Sequence, residues 1–249
     1  MKPTKRFNMR QFLEESRSPE GKGGLVVRMA KEQTGELYVY SPIGDSYWDG
    51  VSPAAVAKAL NEMKASGAKR LNVYINSPGG DVFDGVAIFN LIDRFEGKKT
   101  TYVDGLAASA ASIIALAGDK MVMAKNAQYM IHEAWMIALG GAADLRAAAD
   151  VLEKINDTMA DTYVANSNQD LKAVKKLMAD ETWMTAAEAK EMGFADEVTD
   201  EEAAEPAAHS MLANYKNTPP KLRAAATRSS QLVSEMRMGV LEMRRRASP

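Results

Sequence analysis

Ser109 and His132 are the side chains in this sequence whose types and spacing could support nucleophilic catalysis. Ser109 ends the segment G-L-A-A-S and precedes a run of small and aliphatic residues, and His132 follows it by 23 positions. A serine hydroxyl is a weak nucleophile at neutral pH until a neighbouring base accepts its proton, and histidine titrates in the right range. The only other histidine, His209, lies in an Ala/Pro-rich stretch. Ser109 and His132 are therefore a candidate nucleophile and base.

Two turns could supply the stabilisation of negative charge that such chemistry needs. In the segment N-S-P-G-G at 76–80, two glycines allow a sharp turn and expose backbone N–H groups. Ser109 is predicted to lie at a helix N-terminus, where free N–H groups and the helix dipole favour developing negative charge. Both turns can therefore serve an oxyanion.

Each feature also has an ordinary structural explanation. Ser109 could be a simple helix cap. The glycines at 79–80 could form an ordinary tight turn, and His132 could be a buried core histidine. Two further serines are predicted to be structural: Ser112 should point into packing, and Ser77, before Pro78, should bond nearby backbone. The combination of features, rather than any one of them, indicates a site.

Alternating strands and helices are predicted to position these residues. Strands are predicted at 25–29, 36–44, 70–76, 99–105, 120–127, 129–132 and 193–198, and helices at 53–66, 81–95, 106–118, 142–166, 168–179 and 185–192. The first helix has Ser52 as its N-cap and Pro53 at its first position. Short links between alternating elements indicate an α/β fold with a parallel sheet, in which ligands bind where strands end and helices begin.

The long helix over 142–166 is predicted to bury one face. Its apolar residues are separated by sums of three and four positions, which is the spacing of a single stripe on a helix. They are Leu145, Leu152, Ile155, Met159 and Tyr163.

Composition excludes several classes of protein. The 249 residues include no cysteine, which rules out disulfides, thiolate metal sites and a cysteine nucleophile, and the two histidines argue against a multi-histidine metal site. No metal or cofactor is predicted. The polar N-terminus does not resemble a secretory signal, and no run of 18 apolar residues predicts a membrane span. A net charge of −2 argues against nucleic-acid binding by the core. We expect a cytoplasmic protein.

Three regions are predicted along the chain. Residues 1–34 are a polar N-terminal segment, 35–199 form the folded domain, and 200–249 are a linker and a basic tail, partly disordered or helical. Within the tail, Leu232, Met236, Val240 and Met243 could line one side of an amphipathic helix. We expect this tail to be separate from the core.

Four ordered segments resemble the signature segments of the Clp protease proteolytic subunit, ClpP, a family of serine peptidases. They are YINSPGGDVFDG at 74–85, GLAAS at 105–109, MIH at 130–132 and TAAEAKEMGFAD at 185–196. The resemblance spans about 36–198 and implies a ClpP/crotonase-like fold of repeated β-β-α units with a long handle helix. The segments at 43–52, 75–85, 104–112 and 179–189 are most similar to bacteriophage and prophage head maturation proteases of this type.

The resemblance implies a role for each matched residue. The nucleophile falls on Ser109, the base on His132, and the oxyanion donors on the backbone N–H groups of Gly80 and Ala110. The acid of the triad is where this sequence departs from the family, because the matched position holds Glu181 rather than an aspartate. Glutamate can orient a histidine as aspartate does. Asp180 is the alternative acid.

The resemblance further implies a serine endopeptidase that associates into heptamer-like rings, possibly stacked in pairs. We expect a phage prohead protease that cleaves scaffold or capsid proteins in the host cytoplasm or prohead. The alternatives are a housekeeping subunit fed by an ATP-dependent (AAA+) unfoldase and a catalytically silent assembly subunit. The basic tail is expected either to dock on a scaffold or capsid surface or to be a solvated tail.

Two other enzyme classes share parts of the pattern. A hydrolase similar to signal-peptide peptidases would use a lysine base and a membrane anchor, and a crotonase-type acyl-CoA enzyme would need neither Ser109 nor His132. The histidine in the ClpP-like segment favours the peptidase over both.

Overall fold

The fold is built on one mixed β-sheet flanked by helices. The computed structural model describes residues 25–30, 32–44, 50–200, 210–224 and 226–227. The strands are β1 (Leu25–Ala30), β2 (Thr34–Val39), β3 (Arg70–Ser77), β4 (Lys98–Ala108), β5 (Lys120–Ala124), β6 (Gln128–Ile131), β7 (Thr182–Thr185) and β8 (Glu197–Thr199). The helices are α1 (Pro53–Ala65), α2 (Val82–Asp93), α3 (Ala110–Ala115), α4 (Ala142–Ala165), α5 (Leu171–Ala179) and α6 (Ala186–Glu191).

The long strand β4 joins two parts of the sheet. The main part has the order β1-β2-β3-β4-β5-β8, and its pairs are parallel except for β1 with β2. Thr100–Val103 of β4 pair with β5, whereas Leu106–Ala108 pair in parallel with β6, which in turn pairs antiparallel with β7. The α/β class predicted from the alternation is confirmed, and β4 changes partner just before it reaches Ser109.

The two faces of the main sheet differ in chemistry because successive side chains of a strand alternate between faces. Leu37 and Val73 lie opposite each other and are fully buried in the main hydrophobic core. On the other face, Tyr38, Tyr74 and Tyr102 form a stacked ladder with ring centroids 4.6 and 4.9 Å apart. The core therefore lies on the face that carries the aliphatic residues.

The start of α1 follows the sequence prediction. Ser52 accepts a hydrogen bond from the N–H of Ala55 at 3.3 Å, and Pro53 is the first helical residue. The α6 helix begins in a similar way, because Thr185 and Glu188 cap each other reciprocally. Local side-chain chemistry at these positions fixes where the helices begin.

The predicted helix over 106–118 is wrong in its first part. Leu106–Ala108 belong to β4, and the helix α3 begins only at Ala110. Short aliphatic runs suit either a strand or a helix, so their periodicity does not decide between them. Pairing with Gln128–Met130 of β6 holds these residues extended.

The second half of the chain differs from expectation at two strands. The sequence predicts no strand directly after Glu181, but β7 forms there and pairs Trp183 with Met130 of β6. The final strand begins at Glu197 rather than at 193, because Gly193 has a φ of 79° and its N–H bonds to the carbonyl of Lys190 as α6 ends.

The predicted buried stripe of the long helix is correct only towards its C-terminus. Met159 and Tyr163 of α4 are buried, and Ile155 is partly buried against the core. Leu145, in contrast, is 47% exposed, so the prediction is wrong at the start of the helix. The N-terminal half of α4 extends beyond the core to which its C-terminal half is attached.

Residues 210–224 and 226–227 are not separate from the core, which corrects a further prediction. A 3-10 helix (Ser210–Asn214) and helical residues at 220–224 and 226–227 follow the domain. Leu212 and Leu222 are buried in a cluster that also contains Leu106 and Met130. Apolar side chains outweigh the linker-like composition here, because covering exposed apolar surface is favourable.

Several sequence predictions concern residues outside the described ranges, among them most of the N-terminal segment and the helix proposed around 232–243. The boundaries of the three predicted regions stay a prediction. Among the described helices, none has the length and apolar character needed to cross a membrane.

Gly79 is placed where a side chain would collide with the start of the turn at Ser109. A Cβ on Gly79 would lie 2.5 Å from the carbonyl oxygen of Ala108 and 2.7 Å from the Cβ of Ser109. Gly67 has a similar positive φ, 82° against 90°, but a Cβ there would meet no atom within 4 Å. Substitutions at the two glycines can therefore be compared to distinguish the cost of a positive φ from the cost of a steric clash.

We expect Gly79→Ala to lower the free energy of unfolding by about 2–4 kcal/mol, because it adds overpacking to the positive-φ penalty. Gly67→Ala should lower it by only about 1–2 kcal/mol, since it has the positive φ alone. Urea denaturation of the two variants measures both values. Equal losses would show that the contact with Ser109 is not tight.

Candidate active site

Ser109 occupies a strained turn between β4 and α3. Its backbone has φ 54° and ψ −127°, a conformation that non-glycine residues rarely adopt, and its side chain makes no capping hydrogen bond. The simple helix-cap explanation is therefore wrong. Strain of this kind is worth about 1–3 kcal/mol and persists where the surroundings enforce it. Here the N–H of Ser109 donates to the carbonyl of Met130 at 3.0 Å, which ties the turn to β6.

His132 follows β6 directly and reaches the hydroxyl of Ser109. Its Nε2 lies 2.7 Å from Ser109 Oγ. The pairing of Ala108 with Met130 brings the two chain segments side by side, so both residues leave the same edge of the sheet. A neutral imidazole at this distance can accept the serine proton.

Burial of the His132 ring lowers its pKa below the usual 6.5. Two charged groups modify this effect in opposite directions: the carboxylate of Glu181 raises the pKa, and the ammonium of Lys216 lowers it. Desolvation is the largest cause, because a charged imidazolium is disfavoured in a low-dielectric environment. His132 is therefore held in the neutral form that a base requires.

Glu181 is a buried carboxylate that three N–H groups hold in place. Its Oε1 accepts hydrogen bonds from Asn217 N at 2.6 Å and from Trp183 Nε1 at 3.2 Å, and its Oε2 accepts one from Lys216 N at 2.8 Å. Within the described residues, no hydrogen bond joins this carboxylate to His132. Its influence on the His132 pKa is electrostatic.

Asp180, the alternative acid, has a different environment. Its side chain is 57% exposed and forms an ion pair with Lys176, one turn earlier on the same helix. At Glu181 the backbone has a φ of 49°, and the side chain of this residue is buried in the interior instead. Of the two candidates, Glu181 is the one that the structure brings near His132.

The two predicted oxyanion donors lie on neighbouring turns, because a Cβ on Gly79 would be only 3.1 Å from Ala110 N. Ile43 bridges to Gly80 through hydrogen bonds made by the carbonyl of Gly79 and the N–H of Asp81. In such a parallel bridge the N–H of the central residue, Gly80, points to the opposite side. Ala110 is the first residue of α3, where an N–H has no partner within the helix.

A cleft of about 260 Å³ opens over Ser109 and His132. Its walls come from the N-terminus of α2, from the segment after His132, from α4 and from the C-terminal segment. Besides Ser109 and His132 it is lined by Gly80, Asp81, Val82, Phe83, Ala134, Trp135, Met136, Leu152, Ile155, Met159, Met211, Asn214 and Tyr215. Most of these lining side chains are apolar.

Both serines predicted to be structural are confirmed in that role. Ser112 is fully buried, donates to the carbonyl of Ser109 at 2.6 Å and shares a hydrogen bond of 2.7 Å with the hydroxyl of Tyr163. Ser77 donates to the carbonyl of Ser41 at 2.7 Å and accepts from the N–H of Gly79 at 3.2 Å.

Sequence reasoning missed the residues that surround the acid from the C-terminal side. Tyr215, Lys216 and Asn217 lie in the stretch predicted to be linker and basic tail, yet they contact His132 or Glu181. The available signal was the set of apolar residues Leu212, Tyr215 and Leu222, which interrupts the polar composition there.

Comparison with known proteins identifies the family. The family model described as Clp protease matches residues 35–202. A relative from Leuconostoc citreum (strain KM20), named ATP-dependent Clp protease proteolytic subunit, is 34% identical over 152 residues, which are 59% of this chain and 76% of the relative. The residues matched by the family model contain strands β3 to β8, the strained turn at Ser109 and the segment of His132. The chain belongs to the Clp protease family and is a serine-type peptidase.

Proposed function

We propose that the chain is an endopeptidase in which Ser109 is the nucleophile, His132 the general base and Glu181 the acid. The observation that carries this proposal is the 2.7 Å hydrogen bond between His132 Nε2 and Ser109 Oγ at a strained turn facing the cleft. A silent assembly subunit would have no need to maintain either the strain or the buried histidine.

The reaction follows from these positions. His132 accepts the proton of Ser109 as Oγ attacks the carbonyl carbon of the peptide bond, and the carbonyl oxygen becomes an oxyanion. The N–H groups of Gly80 and Ala110 donate to this oxyanion, and one such donor is typically worth about 2.7–4 kcal/mol of barrier. His132 then protonates the leaving amine. Water, activated by the same histidine, hydrolyses the acyl-enzyme and restores Ser109.

Glu181 supports the base through its charge. The imidazolium that forms during the reaction is buried, and a fixed carboxylate nearby stabilises it. The three N–H donors on Glu181 fix the position of its carboxylate near the base.

We expect Ser109→Ala and His132→Ala each to abolish labelling by a fluorophosphonate probe and to lower peptide hydrolysis by about 10⁴-fold or more. Glu181→Gln should lower hydrolysis by up to about 10⁴-fold, because it removes the charge while keeping the shape. Gel fluorescence and hydrolysis of a fluorogenic peptide measure these effects.

Ser52→Ala is the control, because it removes a serine hydroxyl whose hydrogen bond caps α1 rather than meeting the proposed triad. This variant should still be labelled. Labelling that survives Ser109→Ala, or its absence from the folded unmodified protein, contradicts the proposed chemistry.

The low pKa of His132 predicts the pH dependence of the enzyme. The base works when neutral, so kcat/KM should rise with pH through a midpoint below 6.5, the usual pKa. Lys216→Met keeps the backbone N–H that bonds Glu181 but removes a charge that lowers this pKa, so the midpoint should move to higher pH. A pH profile of peptide hydrolysis tests both statements. A midpoint that moves to lower pH in the variant would be inconsistent with them.

We further propose that the subunits associate into rings through the region of the long helix. The segment before α4 exposes apolar side chains to solvent, with Ile137 84% and Leu139 93% exposed, and Leu145 and Val151 of α4 are exposed as well. Exposed patches of this kind mark association sites. The relative's name describes it as a subunit, which supports an assembly here too.

We expect Leu139→Glu to dissociate the assembly, because a charge would be buried in its apolar contact. Leu171→Glu is the control, since Leu171 is also an exposed leucine but lies at the start of α5. Light scattering should show a smaller mass for the first variant alone. A monomeric unmodified protein under active conditions would argue against the ring.

For the biological role we propose a prohead maturation protease that cleaves scaffold or capsid proteins in the host cytoplasm or the prohead. The similarity of the segments at 43–52, 75–85, 104–112 and 179–189 to such phage enzymes supports this role. The alternative is a subunit that works with an ATP-dependent unfoldase, and the words "ATP-dependent" in the relative's name favour it.

Hydrolysis of a long unfolded protein separates the two roles. A maturation protease should degrade unfolded casein without ATP or a partner, because no unfoldase feeds it. A subunit that depends on an unfoldase should cleave short peptides but leave casein largely intact. Fragment patterns on a gel, with Ser109→Ala as the blank, distinguish these outcomes.

A further inference from the structure

We propose that Tyr215 is a positioning residue that holds together the base, the acid and the oxyanion turn. This inference rests on the proposed roles of Ser109, His132 and Glu181. It assigns a part of the active site to the C-terminal segment, well beyond the strands and helices that carry the triad itself.

Tyr215 contacts each of the three elements. Its hydroxyl donates to the carbonyl of Pro78 at 2.7 Å, two residues before the proposed donor Gly80. The edge of its ring meets His132 with centroids 5.2 Å apart, and it meets Trp183, which bonds Glu181, at 6.0 Å. One buried side chain therefore spans the distance between elements that are far apart in sequence.

The residues after Tyr215 hold the acid. A buried carboxylate is unfavourable unless hydrogen-bond donors replace the water it has lost. The N–H groups of Lys216 and Asn217 supply two of the three donors on Glu181, and the side-chain amide of Asn217 donates to the carbonyl of Asp180 at 2.8 Å. In the described part of the chain, no lysine or arginine forms an ion pair with Glu181. The backbone N–H groups of the turn at 215–217 thus take the place that a cationic side chain would have beside the Glu181 carboxylate.

The segment is anchored firmly enough to act in this way. Leu212, Leu222 and Ala226 pack with Tyr215 in the same buried cluster as Ala108, which directly precedes Ser109. The hydroxyl of Thr218 donates to the carbonyl of Leu212 at 2.6 Å and closes the turn. Tyr215 is therefore fixed by packing on one side while its polar end reaches the oxyanion turn.

Loss of Tyr215 should change catalysis in a characteristic way. The ring helps to bury His132, and burial is the largest cause of the low pKa of that histidine, whereas Glu181 raises the pKa and Lys216 lowers it. Without the ring, water reaches the imidazole and its pKa rises. The acid and the oxyanion turn also lose their common contact, and small misplacements of catalytic groups can lower rates about 10²-fold.

The test compares three variants of the full chain with a fluorogenic peptide as substrate. We expect Tyr215→Ala to lower kcat by about 10²-fold, with a smaller change in KM, and to move the acid limb of kcat/KM to higher pH. Tyr215→Phe keeps the ring and loses one hydrogen bond, so kcat should fall about three- to tenfold with the acid limb unchanged.

Leu222→Ala is the structural control, because it removes a side chain from the same cluster without contacting the proposed triad. This variant should be less stable to urea but keep the kcat and the pH profile of the unmodified enzyme. If Leu222→Ala moves the acid limb as Tyr215→Ala does, the role of Tyr215 is structural and the inference is overturned. A folded Tyr215→Ala variant with unchanged kcat and pH profile overturns it as well.

Where Tyr215→Ala does not fold, Tyr215→Phe decides, because an unchanged kcat in that variant contradicts the tether to Pro78. Failure of the proposed triad would be recognised by a different result. In that case Ser109→Ala would retain peptide hydrolysis, whatever the Tyr215 variants show.

Discussion

Parallel pairing between the last residues of β4 and strand β6 is the constraint on which the site depends. The pairing of Ala108 with Met130 and the hydrogen bond from Ser109 N to Met130 O bring two chain segments into register at one sheet edge. Ser109 is the next residue after Ala108, and His132 is the second residue after Met130. Because rigid strands set their backbones, the 2.7 Å separation of Oγ and Nε2 needs no flexible loop. The strain at Ser109 is tolerated because the same pairing opposes its relaxation.

Removal of charged groups from water is the second constraint. A carboxylate and a histidine lie together in the interior, where their mutual attraction is stronger than in solvent but where an unsatisfied group is costly. Glu181 meets this requirement with three N–H donors, two of them from the backbone. Asp180, next to it in the chain, stays at the surface with Lys176. The positive φ of Glu181 turns the backbone at this point, so that the Asp180 side chain lies at the surface and the Glu181 side chain in the interior.

Most of the fold could be predicted from the sequence, because its signals are local. The cap at Ser52, the glycine turn at 79–80 and the alternation of strands and helices each depend on neighbouring residues. The errors arise where tertiary contacts decide. Leu106–Ala108 form a strand because β6 pairs with them. Leu212, Tyr215 and Leu222 are docked because they pack on an apolar surface formed by residues distant in sequence. The motifs single out Ser109 and His132, but no local pattern shows that the acid takes its hydrogen bonds from residues 35 and 36 positions later.

The place of Tyr215 in the chain has a consequence for synthesis. With Tyr215 in the role proposed for it, the catalytic centre is incomplete until a segment far downstream of His132 has been made and has docked. Ribosomes add about 5–20 residues per second, so the interval between His132 and Tyr215 lasts roughly 4–17 s. During that time a nascent chain already carries its nucleophile and its base without the turn that secures them. On that proposal, Ser109 gains its full set of supporting contacts only after translation has passed Tyr215.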